Sequence, residues 1–235
     1  MRSSKKLSDF LDQNHLGSDC FVQALTHRSA NGKHNERMEF LGDSVLGLVI
    51  TDRLYHHMPK ASEGYLSRLR ASLVNENTLA EIANELSLGD FLRLGAGELK
   101  SGGFRRKSIL SDTLEAVIAS VYLEKGMDEA RDFVLTIFTD RFEKLPSEDE
   151  LKDPKSRLQE LLQSRKLEIP EYELISTTGD AHRQLFTAEC VITSLEISSK
   201  GVSSSRRKAE QQAAQNAYES VKETFTAKKK VTTLK

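Results

Sequence analysis

Long apolar runs are what this 235-residue chain most lacks: nowhere do about 18 apolar residues follow one another, which excludes a membrane-spanning helix. Its first residues, Met1-Arg2-Ser3-Ser4-Lys5-Lys6-Leu7-Ser8-Asp9, have no apolar core of the sort a secretory signal requires. Cysteine is almost absent. Cys20 and Cys190 lie too far apart for a disulfide framework or a metal-ligand pair, so a reduced, cytoplasmic protein with no membrane attachment is expected. The histidines, His15, His27, His34, His56, His57 and His182, are too scattered for a zinc set. The glycine-rich stretch Gly95-Ala96-Gly97-Glu98-Leu99-Lys100-Ser101-Gly102-Gly103 lacks the spacing of a P-loop or a dinucleotide fingerprint, and no strand precedes it. It reads as a connecting loop, and no small-molecule cofactor is expected.

What is present suffices for a packed core: 38% of residues are hydrophobic, the mean hydropathy of −0.46 is that of a soluble chain, and the length suits two domains. The net charge of −1 conceals an asymmetry. Residues 1–151 hold 19 basic and 24 acidic side chains, net −5, whereas residues 152–235 hold 15 and 11, net +4. Chance variation in solvated faces accounts for such a split as readily as function does, so charge alone decides nothing.

From residue 7 to residue 145 the pattern is helical, with apolar residues at three- and four-residue spacing over 66–74, 79–88 and 130–142. An acidic linker, 145–153, follows. Then the period changes. Residues 154–166 predict an amphipathic helix with Pro154 at its first position behind Asp153. Phe186, Ala188, Cys190 and Ile192 alternate with Thr187, Glu189, Val191 and Thr193 as on a half-buried strand, and 172–177 and 195–199 predict its neighbours. Residues 205–225 return to helix, with Ala209, Ala213, Ala217 and Val221 on one face. The order α-β-β-β-α is that of a complete small α+β domain behind an all-α one.

Two acidic clusters sit on segments too apolar to expose. Glu36, Glu39 and Asp43 fall within about 60° on an ideal helix that continues into Val45-Leu46-Gly47-Leu48-Val49-Ile50. Met38, Leu41, Val45, Leu48 and Val49 take the opposite side, and beyond Asp43 the turns are apolar all round and are expected to be buried. Asp112 and Glu115 share a stripe on a second helix of the same kind. One such stripe alone reads better as a solvated helix face near an N-terminus, where carboxylates suit the dipole. Two of them, each leading into buried turns with no Lys or Arg at i+4, point to a divalent metal site, and oxygen ligands favour Mg²⁺ or Mn²⁺ over Zn²⁺. Phe40 projects beside the acidic stripe, toward either an intramolecular contact or a subunit interface.

At the other end, Arg206, Arg207 and Lys208 open the last helix, where positive charge opposes the dipole unless an anion such as phosphate offsets it. The alternative is that these long side chains bend into water. The loop Gly179-Asp180-Ala181-His182-Arg183-Gln184 can reach a groove from the same face. No aromatic pair marks a single-strand stacking platform, so a reader of A-form RNA shape fits better.

With these residues in view, the chain resembles bacterial ribonuclease III over nearly its whole length. The resemblance rests on Asn35-Glu36-Arg37-Met38-Glu39-Phe40-Leu41-Gly42-Asp43-Ser44, on Ala24-Leu25-Thr26-His27-Arg28-Ser29, on Leu66-Ser67-Arg68-Leu69-Arg70-Ala71 and on Ser108-Ile109-Leu110-Ser111-Asp112-Thr113-Leu114-Glu115-Ala116. Met38 stands where leucine is usual. The C-terminal part resembles a double-stranded RNA-binding domain through Asp153-Pro154-Lys155-Ser156-Arg157-Leu158-Gln159-Glu160 and Ser205-Arg206-Arg207-Lys208-Ala209-Glu210-Gln211. Ser203 departs from the usual glycine there, which puts the adjoining phosphate geometry in question.

The resemblance implies a ribonuclease III catalytic and dimerisation domain over residues 1–146 and a linker over 147–152. It implies a double-stranded RNA-binding domain over 153–225 and a basic tail, 226–235, expected to be disordered. It implies a homodimeric endoribonuclease that hydrolyses both strands of duplex RNA, leaving 5′-phosphates, 3′-hydroxyls and short 3′ overhangs. Its substrates would be ribosomal and other structured precursors, messenger and transfer RNA among them. Glu39, Asp43, Asp112 and Glu115 match the family's metal-binding catalytic quartet, holding Mg²⁺ with Mn²⁺ able to substitute, one ion for the attacking water and one for the leaving oxygen. Glu36 and Glu63 match auxiliary acidic positions, and Phe40 matches an aromatic that plugs into the partner subunit. Gln159, Glu160 and His182 match groove contacts, while Arg206, Arg207 and Lys208 match the phosphate-binding helix end. The rival class is a non-catalytic duplex-RNA binder on the same scaffold, which would bind duplex RNA and leave it whole with or without Mg²⁺.

Overall fold

The computed structural model describes residues 7–180 and 183–232, with side chains through 225. The chain divides between Pro146 and Ser147 into two compact units. Among the described residues no helix is long and apolar enough to cross a membrane.

The first unit is helical: α1 (Gln13–Leu16), α2 (Asp19–Ala24), α3 (Glu36–His57), α4 (Glu63–Leu73), α5 (Glu76–Glu85), α6 (Ala96–Lys100), α7 (Lys107–Lys125), α8 (Met127–Ile137) and α9 (Thr139–Phe142). Short polar residues start several of them. The side chains of Asp12, Ser18, Ser62 and Asn75 each accept a hydrogen bond from the first turn that follows, a cap worth about 1 kcal/mol. At its other end α7 stops at Gly126, whose φ of 91° suits glycine alone. α7 runs through the centre of the unit. Its Leu110, Leu114, Val117 and Ile118 are fully buried, as are Leu46 and Ile50 of α3, and each such side chain contributes about 1.5–3 kcal/mol.

α3 and α7 cross until their backbones touch. A Cβ on Gly42 would lie 1.8 Å from the carbonyl oxygen of Glu115, so only glycine permits the crossing. The burial of α3 is one-sided, contrary to the expectation from its all-round apolar turns. Leu48, assigned to the buried side, is 59% exposed, and Phe40 and Tyr55 are exposed too. Composition measures how apolar a turn is, but the number of neighbours around the helix sets how much of it is covered. The glycine-rich stretch is also more ordered than a plain loop: it folds into α6 and a 3₁₀ turn, Gly103–Arg105.

The second unit comprises α10 (Pro154–Ser164), the antiparallel sheet β1 (Glu171–Thr178), β2 (Leu185–Ile192) and β3 (Ile197–Ser203) in that spatial order, and α11 (Arg206–Thr232). Asp153 caps α10 by accepting from the Lys155 N–H, with Pro154 at the first turn. Leu158 and Leu162 of α10, Cys190 and Ile192 of β2, and Ala213, Ala217 and Val221 of α11 form its core. The alanine stripe lets α11 lie close on β3, where a Cβ on Gly201 would meet the Ala209 carbonyl at 2.2 Å. β3 starts later than the expected 195–199, because Thr193–Leu195 form a 3₁₀ turn and Glu196 takes a left-handed φ of 55°. Ser203 ends β3, paired with Phe186 in ordinary strand conformation that tolerates a side chain. α11 extends past the expected end at residue 225, its bounds being Arg206–Thr232.

Candidate active site

The crossing at Gly42 decides what the two acidic stripes meet. Carboxylate oxygens of Glu39 on α3 and of Asp112 and Glu115 on α7 all lie within 4.8 Å of one another, each residue half-buried. Burial pushes the Glu115 carboxyl up to about 8, with the negative charges of Asp43, Asp112 and Glu39 adding to the effect. Burial and the Asp112 charge raise Glu39 above its ordinary value. Asp112 is raised by burial and by Glu76 of α5, and pulled back by His27 and Arg28. Asp43 is exposed and stands outside the group of three, yet it is the foremost charge acting on Glu115. Carboxylates held this closely are stabilised by a bound cation, and an all-oxygen donor set suits a hard divalent ion. The group can hold a metal.

Asp112 and Glu39 also line a cavity of about 580 Å³ shared with His27, Arg28, Asn35, Glu36, Glu98 and Arg106. Glu36 is exposed there and pairs with Arg28 at 3.2 Å and His34 at 3.5 Å, so its charge is balanced locally. Glu63 stays out of the cluster. It sits exposed at the start of α4, accepting from the Ser67 hydroxyl at 2.6 Å. Phe40, next to Glu39, is 77% exposed. Glu76, Glu98 and Arg106 were not singled out from the sequence. Glu76 stands at the start of a separate helix, Glu98 lies within a glycine-rich stretch read as a connector and Arg106 just beyond it; no spacing signal ties any of them to the two stripes.

In the second unit the N-terminal turns of α10 and α11 are tied together. Lys155 pairs with Glu210 at 2.5 Å, and the Gln211 amide donates to Asp153 at 2.5 Å. Arg206 pairs with Glu210 at 2.8 Å across one helical turn, which holds its head at the start of α11. Arg207 and Lys208 are exposed and have no ionic partner among the described residues. Gln159 and Glu160 are exposed on α10, Glu160 paired with Lys152 at 2.5 Å. His182 lies outside the described residues.

Residues 18–141 match the family model described as ribonuclease-III-like, and residues 154–221 match the double-stranded RNA binding motif. A ribonuclease 3 of Buchnera aphidicola is 52% identical over 214 residues, spanning 91% of this chain and 95% of that one. The chain belongs to the ribonuclease III family. A ribonuclease 3 of Vibrio vulnificus is 55% identical over 196 residues, covering 83% of this chain and 87% of its own. Among solved structures, the nuclease domain of ribonuclease III from Campylobacter jejuni superposes with a TM-score of 0.54 at 41% identity, covering 60% of this chain and 100% of that one. Membership over both units makes this chain an endoribonuclease of double-stranded RNA, its first unit a nuclease domain and its second a duplex-RNA-binding domain.

Proposed function

We propose that Glu39, Asp43, Asp112 and Glu115 are the catalytic metal ligands of this nuclease and that Mg²⁺, replaceable by Mn²⁺, is the ion they hold. The observation that carries the reading is the convergence of three carboxylates from two crossing helices within 4.8 Å, with Glu115 held against ionisation by burial and by its neighbours' charge. When bound, divalent ions supply Lewis acidity to the phosphodiester and activate water for its hydrolysis. The protein's own part is to present oxygens only, to keep Glu115 and Asp112 fixed on the rigid α7, and to leave Asp43 at the solvent edge. Glu36 and Glu63 would act as auxiliary acidic groups around that edge.

Duplex RNA would lie against Gln159, Glu160, His182 and the cationic end of α11. Arg206, Arg207 and Lys208 there supply sequence-independent attraction for phosphates that an acidic nuclease unit cannot. The −5 and +4 charges of residues 1–151 and 152–235 fit that division of labour. Functionally, residues 1–146 are the catalytic and dimerisation part, 147–152 a connector and 153–225 the RNA-binding part.

The working unit is a homodimer. Phe40, Leu48 and Tyr55 lie within about 80° on α3 and are 77%, 59% and 66% exposed, an apolar face that water alone would not favour. A region involved in dimer formation is described for the Campylobacter jejuni nuclease domain. The products would carry 5′-phosphates and 3′-hydroxyls with short 3′ overhangs, from structured RNA precursors in the cytoplasm. The test is duplex RNA incubated with the full chain in EDTA and in a Mg²⁺ titration. Cleavage confined to free Mg²⁺, with a bound intact duplex in chelator, is expected. Intact duplex at saturating Mg²⁺ would leave only RNA binding.

A further inference from the structure

The cavity beside the acidic group contains a histidine whose tautomer the backbone has already chosen. The amide N–H of Ser29 donates to Nδ1 of His27 at 3.1 Å, so Nδ1 is an acceptor and the ring's proton is on Nε2. The Ser29 hydroxyl, 2.8 Å from the same Nδ1, donates there as well, and itself accepts from the Gly95 N–H at 3.0 Å. This arrangement depends on a close approach that only glycine allows, since a Cβ on Gly95 would stand 2.1 Å from the Ser29 carbonyl oxygen. The segment is stitched to its neighbour on the other side too. His27 N–H donates to Arg93 at 3.0 Å, and Arg93 N–H donates to Leu25 at 2.9 Å.

The half-buried His27 ring thus presents Nε2–H with no acceptor among the described residues. It lines the cavity with Arg28, Glu36, Glu39, Glu98, Arg106 and Asp112. Carboxylates on this wall repel an RNA strand, and Arg28 and Arg106 are engaged by Glu36 and Glu98 at 3.2 and 2.9 Å. An oriented neutral donor is what such a wall lacks if a phosphodiester is to approach it.

We infer that His27 contacts the substrate, its Nε2–H donating a hydrogen bond to a non-bridging phosphate oxygen of the RNA strand lying against the Asp112 side of the acidic group. The inference rests on the active-site reading above. Its role is that of an oriented donor: the Ser29 N–H occupies Nδ1 and leaves Nε2–H toward the cavity.

Three measurements test this on the full chain. Ring ¹⁵N spectra without RNA should show Nε2 protonated and Nδ1 bare; the reverse tautomer overturns the inference. In single-turnover cleavage of a duplex RNA at saturating Mg²⁺, His27→Ala should lose about 30- to 100-fold in rate, as expected for one lost oxyanion donor. His27→Gln, which keeps an N–H donor, should recover to within about fivefold of wild type. Both variants should stay folded by circular dichroism and still bind duplex RNA in EDTA, where the second unit supplies the attraction. Alanine cutting at the wild-type rate, or glutamine failing as badly as alanine with folding intact, overturns the donor role. Glu115→Gln serves as the control. If that variant still cuts, the metal-site reading has failed, whatever His27 does.

Discussion

Removing the charge of Glu115 should make the folded protein more stable while abolishing its chemistry. The Glu115 carboxyl is pushed from its ordinary 4.5 up to about 8 by burial and by Asp43, Asp112 and Glu39. Each unit of such a shift costs the ionised native state about 1.4 kcal/mol. Because the folded pKa lies above the unfolded one, the stability associated with Glu115 is complete below about pH 4.5 and is lost as pH rises through about 8. After discounting for solvent screening at the partly open side of the site, about 2–3 kcal/mol remains at pH 8. A neutral, isosteric glutamine escapes that cost. Glu115→Gln should therefore melt about 6–10 °C above wild type in EDTA at pH 8, and the gap should close toward pH 5. Added Mg²⁺ should raise the wild-type melting temperature more than the variant's, because a cation offsets the repulsion that only the wild type retains. Duplex affinity in EDTA should be the same for both, and cleavage should be lost in the variant. Calorimetry or circular dichroism across that pH range suffices. If the variant melts at or below wild type at pH 8 in chelator, Glu115 is not under electrostatic stress and the case for a cation there fails.

Gly42→Ala would force a Cβ to within 1.8 Å of the Glu115 carbonyl. About 1–3 kcal/mol of stability should be lost from the first unit, together with a weaker Mg²⁺ response in melting; an unaltered melting curve would contradict the backbone contact. Replacing Arg207 and Lys208 together by alanine should flatten the salt dependence of duplex binding by about two units of log–log slope and weaken all sequences alike, as filter binding at several KCl concentrations would reveal. Phe40→Ala should shift the sedimentation-equilibrium average toward monomer, and a dimer of unchanged affinity would remove Phe40 from the interface. Gly201→Ala should destabilise the second unit by pushing α11 off β3, seen as loss of duplex binding with the nuclease unit still folded.

Local pattern carried much of the architecture. The helical period to residue 145, Pro154 behind Asp153, the alternation from Phe186 to Ile192 and the alanine stripe of α11 are properties of neighbouring residues, and neighbouring residues set secondary structure. Errors arose where a longer-range packing partner intervenes. Leu48 is exposed because no helix among the described residues covers that side of α3, and β3 is delayed because Glu196 turns the chain through a left-handed conformation.

For the candidate site, the sequence by itself determined that Glu39 and Asp43 share one helical stripe and that Asp112 and Glu115 share another, since helix geometry fixes side-chain direction within an element. It could not determine that the stripes meet. That was decided by tertiary structure, through the glycine at position 42 that lets α3 settle on the backbone of α7. Their crossing gathers Glu39, Asp112 and Glu115 into one group, leaves Asp43 at its open edge, and sets His27, Arg106 and Glu76 around it. Charge repulsion among carboxylates depends on the distance between helices, and that distance is written in packing rather than in spacing along the chain.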